Sequence, residues 1–317
     1  MPRKSKPPPP PPPPKPASLV SRSSGLHPAI QQSLGKRGLC WPWDQPGTHF
    51  ALFEPYLAPS QSPPPSSSSS STLPGKISWL FNWELWQPDS LPQTLEWVPC
   101  IRTSSHIKDI DPFLLDIITK STAQSRVVPS ALLGFNEPEI PSQANLDVET
   151  ACVLWKDVVL PAKKKFGLRL GSPGMSSDVG RSKPWLDWFL ARIQKSSTDD
   201  DRDGGIDFLV LHWYGFRFVD MRHFLEDMHQ TYGLPIWLNE FACSKMGEGE
   251  TTVDEVCGFL REALPWLDAC PWIEKYAYFG HKEVGEWVGR ASNFLEMADD
   301  KSWRLTRVAK LYCEYRH

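Results

Sequence analysis

The chain has 317 residues, 40% of them hydrophobic, and a formal net charge of −3. That is enough apolar material for a large core, and so balanced a charge gives no reason to expect nucleic acid or an anionic membrane surface as partner. No stretch approaches the ~20 apolar residues of a membrane span. Residues 1–35 carry an unbroken proline run from Pro7 to Pro14, scattered basic residues and no acidic one. This composition predicts a disordered polyproline II tail, with a ligand for a proline-recognising domain as the alternative. A signal peptide would place its apolar segment where the prolines stand, so export by the ordinary route is not expected. From residue 36 onward strand-like and helix-like segments alternate. The strand candidates are Gly38–Trp41, Ile77–Asn82, Leu95–Cys100, Leu132–Asn136, Leu168–Ser172, Phe208–His212, Ile236–Asn239 and Ile273–Phe279. Helices are expected at Pro112–Lys120, Val148–Lys165, Trp185–Lys195, Val219–Tyr232, Val253–Ala269 and Arg304–Glu314. A Pro/Ser-rich loop at about 59–74, with serine from Ser66 to Ser71, interrupts the connection after the first strand.

Eight strands alternating with helices over residues 36–317 predict an α/β fold, a (β/α)8 TIM barrel behind the disordered tail. An open doubly wound sheet is the competing topology. It would normally show Gly-x-Gly-x-x-Gly after its first strand, and that motif is absent. Seven cysteines run from Cys40 to Cys313 with no Cys-x-x-Cys pair or metal-ligand spacing, so they read mostly as small buried hydrophobes, with neither zinc nor a full disulfide framework indicated.

In such a barrel, function gathers where strands end. Two strand candidates end alike: Leu132-Leu133-Gly134-Phe135-Asn136-Glu137 and Ile236-Trp237-Leu238-Asn239-Glu240 each deliver an apolar run onto Asn-Glu. The other ends are rich too, with Asn82-Trp83 after strand two, His212-Trp213-Tyr214 after strand six and Tyr278-Phe279 after strand eight. Two carboxylates converging on one pocket are what retaining glycoside hydrolysis needs: a protonated one assists the leaving oxygen while an ionised one ~5–5.5 Å away attacks the anomeric carbon. Their surroundings must then push the two pKa values apart.

The segments Gly134-Phe135-Asn136-Glu137-Pro138-Glu139, Leu211-His212-Trp213-Tyr214-Gly215, Trp237-Leu238-Asn239-Glu240-Phe241-Ala242 and Tyr276-Ala277-Tyr278-Phe279-Gly280 resemble those of glycoside hydrolase family 128. Ser78-Trp79-Leu80-Phe81-Asn82-Trp83 looks like its strand-two motif, although Leu80-Phe81 stands where an aromatic pair is common and Asn239 where many members carry Thr. The resemblance spans about residues 36–317. It implies a retaining β-1,3-glucanase with Glu137 as acid/base, Glu240 as nucleophile, Asn136 on the sugar 2-hydroxyl, and His212 and Tyr214 orienting Glu240. Trp83, Trp213 and Phe279 would wall the glucan, Asn82 would join the binding set, and no cofactor or metal is implied. The expected partner is a β-1,3-glucan polysaccharide or oligosaccharide, the chain is expected to act as a monomer, and endo cleavage is slightly favoured. The alternative is a glucan- or oligosaccharide-binding protein of the same fold with exo or little activity. A wall or extracellular substrate conflicts with the absent export signal, so location stays open.

Plainer readings exist for several of these residues. Asn136 could merely cap a helix, and His212 could be a satisfied core histidine. Trp185 and Trp188, three apart in a helix, read as core. Asp199 to Asp207 opens like a calcium loop, but its twelfth position is Val210 in place of a bidentate acid, so a solvated turn is the better reading. Lys163–Lys165 ends a helix, where cations suit the dipole.

Overall fold

The computed structural model describes residues 35–59, 76–195 and 205–316. The proline tail, nearly all of the Pro/Ser loop and most of the calcium-like run lie outside them.

Eight parallel strands form one sheet: β1 (Arg37–Cys40), β2 (Ile77–Phe81), β3 (Glu96–Trp97), β4 (Ala131–Leu132), β5 (Arg169–Met175), β6 (Phe208–Gly215), β7 (Ile236–Cys243) and β8 (Ile273–Tyr278), in the order β3-β2-β1-β8-β7-β6-β5-β4. The sheet curls until its edges meet. A parallel bridge joins Cys100 to Leu133, just past β3 and β4, with Leu133 N donating to Pro99 O at 2.9 Å and Ile101 N to Leu133 O at 3.0 Å. The arrangement is consistent with the expected (β/α)8 barrel.

Strand alternation builds two apolar layers. Trp79, Phe81, Phe208, Val210 and Trp237 cluster inside the ring, where Phe208 stacks on Trp237 at 4.1 Å. Residues between them, such as Leu80, Leu209 and Leu211, join the larger cluster under the helices. The interior also buries an ion pair. Lys275 Nζ lies 3.0 Å from Glu96 Oε2 and over the Trp79 and Trp237 rings, so the charge is matched rather than stranded.

The helices are α1 (Ile110–Ala123), α2 (Val148–Leu154), α3 (Leu160–Phe166), α4 (Val179–Lys195), α5 (Phe218–Tyr232), α6 (Val253–Ala269), a short α7 (Gly285–Val288) and α8 (Arg307–Glu314). α6 shows why: Val256, Leu260, Ala263, Leu264 and Leu267 recur on one buried face, and a capping box of Thr252 and Glu255 satisfies its first amides. The expected helix Val148–Lys165 is interrupted by a π turn over Trp155–Val159, next to Pro161, which has no N–H to give to a carbonyl one turn back. The helix expected from Arg304 begins at Arg307, because Trp303–Leu305 (β10) pairs antiparallel with Leu295–Met297 (β9) and the Thr306 hydroxyl caps α8 through Ala309 N. α4 starts six residues before the expected Trp185. All seven cysteines are free and buried.

Candidate active site

The sheet brings both Asn-Glu segments to one mouth. Glu240 lies inside β7, and Glu137 follows β4. Glu137 adopts φ 43° and its N–H donates to Gly174 O at 2.8 Å, while Asn136 bridges to Gly174. Left-handed backbone costs a residue with a side chain ~1–3 kcal/mol and persists where surrounding contacts enforce it. Trp83 shares it, at φ 59°. Gly174 is required for a different reason: a Cβ there would come 2.9 Å from His212 Nε2.

Glu240 is held by two neutral donors. Trp83 Nε1 donates to Oε1 at 2.6 Å and Tyr214 Oη to Oε2 at 2.7 Å. His212, fully buried, stands between the two carboxylates: Nδ1 is 2.8 Å from Glu137 Oε1 and Nε2 is 3.4 Å from Glu240 Oε1. One oxygen from each carboxylate and a His212 nitrogen all lie within 4.8 Å of one another. A cation would find three donor atoms here, but they already engage each other.

Burial favours neutral His212, but the facing Glu240 and Glu137 outweigh it and raise its pKa to about 9. Burial, and then the charge of Glu137, push Glu240 upward, while His212, Tyr214 and Trp83 pull it back; the net direction is upward. Burial first and Glu240 next push the Tyr214 phenol well above its usual value, so it remains a donor.

The pair opens into a cleft of about 1770 Å³ lined by Trp83, Asn136, Glu137, Tyr214, Glu240 and Phe279, among others. Phe279 meets Trp83 and Tyr214 edge-on, each at 5.7 Å. Asn136 reaches Gln143 Oε1 through Nδ2 at 3.3 Å. Two expectations, for Asn82 and Trp188, need correction, and Trp213 meets the cleft only at its margin. Asn82 does not face the cleft: it is fully buried, its Oδ1 accepts from Trp97 Nε1 at 2.9 Å and its Nδ2 donates to Trp86 O at 2.9 Å, so its amide fixes the loop that carries Trp83. Trp213, between His212 and Tyr214, turns to the opposite side of β6 and stacks parallel on Phe259 of α6 at 5.6 Å, leaving it 4% exposed at the cleft margin. Trp188 is not core but 37% exposed, with the Arg192 guanidinium over its ring. His212 also contacts Glu137 more closely than the Glu240 it was expected to orient.

Residues missed by the sequence reading line the same mouth. Arg102 is fixed by an ion pair with buried Glu84 at 2.9 Å, which His106 also approaches at 3.2 Å. Trp43, Trp287 and Phe216 are 60%, 57% and 42% exposed in the cleft wall. Trp43 lies two residues past the first strand candidate and Phe216 four residues past the sixth, so extending those strands would have found both. Of the calcium-like run, Asp207 is described, and its carboxylate is taken by Lys163 Nζ at 2.7 Å and Leu170 N at 2.6 Å.

Residues 60–312 match the family described as the glycosyl hydrolase catalytic core. The chain belongs to that family. Among its relatives is alkali-sensitive linkage protein 1 of Schizosaccharomyces pombe (strain 972 / ATCC 24843), 28% identical over 283 residues that cover 88% of this chain and 44% of that protein. The chain thus spans less than half of that relative's length. Similar solved structures belong to glycoside hydrolase family 128, the family that the sequence motifs resemble. A subgroup VI exo-β-1,3-glucanase from Aureobasidium namibiae superposes with TM-score 0.67 at 24% identity, over 88% of this chain and 96% of that one. A curdlan-specific subgroup III exo-β-1,3-glucanase from Blastomyces gilchristii, solved with glucose, gives 0.61 at 26% identity over 88% and 98%. A subgroup II endo-β-1,3-glucanase from Sorangium cellulosum gives 0.61 at 23% identity over 87% and 97%.

Proposed function

We propose that this glycosyl hydrolase core cleaves β-1,3-glucan by double displacement, with Glu137 as acid/base, Glu240 as nucleophile and internal bonds preferred. The observation that carries the reading is the separation of the carboxylates. Oxygens within 4.8 Å fit direct attack on the anomeric carbon, whereas inversion needs roughly 6.5–9.5 Å between the carboxyl groups to admit a water. Glu240, held by Trp83 and Tyr214 with a fixed orientation, suits a nucleophile; Glu137, next to His212 and at the cleft surface, suits proton exchange with the leaving oxygen. Asn136 is near enough to Glu137 in the chain to meet a sugar hydroxyl in the same site. Exposed Trp43, Trp287 and Phe216 give apolar faces for sugar rings on more than one side of the pair, which supports binding along a chain.

Glu240→Gln is expected to abolish release of reducing ends from laminarin-type glucan while glucan binding persists. Binding by the unsubstituted protein with no sugar released would leave a glucan-binding protein in place of an enzyme. A defined laminari-oligosaccharide series separates internal from terminal cleavage by its first products.

A further inference from the structure

The turn that carries Glu137 is tied twice to β5 and the segment after it. Glu137 N donates to Gly174 O at 2.8 Å, and two residues on, Glu139 Oε1 accepts from Ser176 N at 2.8 Å. The same turn closes on itself where Ile140 N donates to Glu137 O at 3.0 Å. Glu137 holds its left-handed φ of 43° between these ties, so the Glu139 side chain is part of what aims the acid/base.

One acceptor would be enough for such a clamp, and a neutral glutamine could supply it. Glu139 brings a second oxygen, Oε2, that is buried and accepts no hydrogen bond among the described residues. Leaving a buried carboxylate oxygen so placed is costly, and it calls for a reason beyond packing. Burial pushes the Glu139 pKa up, the Ser176 amide pulls it back, and the charge of Glu137 adds to the rise. In turn the Glu139 charge reaches the reaction centre. Against the burial that favours neutral His212, it acts with Glu240 and Glu137 to keep the imidazole protonated. Other charges beside the turn are paired elsewhere, Asp178 with Arg181 at 3.2 Å and Arg102 with Glu84 at 2.9 Å.

Resting on the glucanase reading, we propose that Glu139 is a positioning residue for the acid/base step, clamping the Glu137 turn to the end of β5 and supplying a third negative charge that holds the proton on the Glu137–His212 pair. Glu139 is not among the residues that line the cleft, so it acts through Glu137 and His212 rather than on the sugar. When Glu137 has given its proton to the leaving oxygen and takes one back from the attacking water, the Glu139 charge favours that proton staying on the pair.

The test is the pH profile of kcat/KM for the full chain on a soluble laminari-oligosaccharide, from pH 4 to 10, with circular dichroism as the control for folding. Glu139→Gln keeps an acceptor for Ser176 N and removes the charge. Its basic limb is expected to move down by about half to one pH unit, while kcat/KM on the acid side stays within about threefold. A clamp with no electrostatic part would lower the rate at every pH and leave the limb in place, so an unmoved basic limb in Glu139→Gln overturns the proposal. Glu139→Asp keeps the charge on a shorter arm, and its kcat is expected to fall about three- to tenfold with the basic limb unmoved. Should Glu139→Gln not fold, that second variant decides: an unchanged kcat or a displaced limb in Glu139→Asp overturns the proposal. Ordinary profiles in both variants remove only the role of Glu139, whereas release of no sugar by the unsubstituted chain refutes the glucanase reading and this proposal with it.

Discussion

Tyr214→Phe isolates one hydrogen bond of the proposed nucleophile. The phenol donates to Glu240 Oε2 at 2.7 Å, and the ring's edge-on contact with Phe279 survives the substitution. A hydrogen bond to an ionised group contributes ~1.5–3 kcal/mol. Tyr214 lowers the pKa of Glu240 against the upward push of burial, so its removal raises that pKa further. The free enzyme then needs a higher pH to ionise Glu240. The acid limb of kcat/KM against pH should move upward, and kcat/KM at neutral pH should fall by roughly ten- to a hundredfold. The assay is initial rates on a soluble laminari-oligosaccharide from pH 4 to 9, with circular dichroism as a control for folding. A reduced rate with an unmoved acid limb would refute the role assigned to this bond.

Glu137→Ala should slow cleavage of unactivated glucan by about 10²–10⁴ and hardly affect an aryl glucoside whose leaving group needs no proton; equal losses on both substrates count against Glu137 as acid. His281 is buried against Trp41 and His49, and burial, with the nearby His49 and Lys282, lowers its pKa to about 3. Because the unfolded chain takes up this proton near pH 6.5, the stability attached to neutral His281 is present above pH 6.5 and is lost as pH falls toward 3, by at most ~1.4 kcal/mol per pH unit. Thermal denaturation of His281→Phe should accordingly show a flatter acid dependence than the unsubstituted chain, and parallel curves would exclude the assignment. Gly174→Ala should destabilise by ~1–3 kcal/mol and depress activity, since the added methyl meets His212 at 2.9 Å; full activity with normal stability would show that the strands can separate there.

Sequence patterning located all eight barrel strands because each is an apolar run between turn-forming residues, and burial on both faces makes such runs continuous. It ended β6 at His212 and β7 at Asn239, whereas they continue to Gly215 and Cys243. The polar residues that create the site are what break the apolar run, so the most functional part of each strand looked like its end. Asn82 was misread for the related reason that a polar residue after a strand resembles a ligand contact. The Trp97 indole and Trp86 carbonyl that use up its amide cannot be inferred from local pattern. Trp213 could have been assigned: alternation puts it opposite His212 and Tyr214, and the helix following β7 supplies the aromatic partner. The β9 and β10 strands are three residues each, too short for an alternating pattern to announce them.

The imidazole lodged between Glu137 and Glu240 faces both carboxylates. Removing Glu137 takes away a charge that pushes the Glu240 pKa up and leaves His212, which pulls it down, so Glu240 is driven toward its charged form. The damage from two substitutions should therefore fall short of the combined single losses, and a variant lacking one acid is not a faithful mimic of the other's resting state.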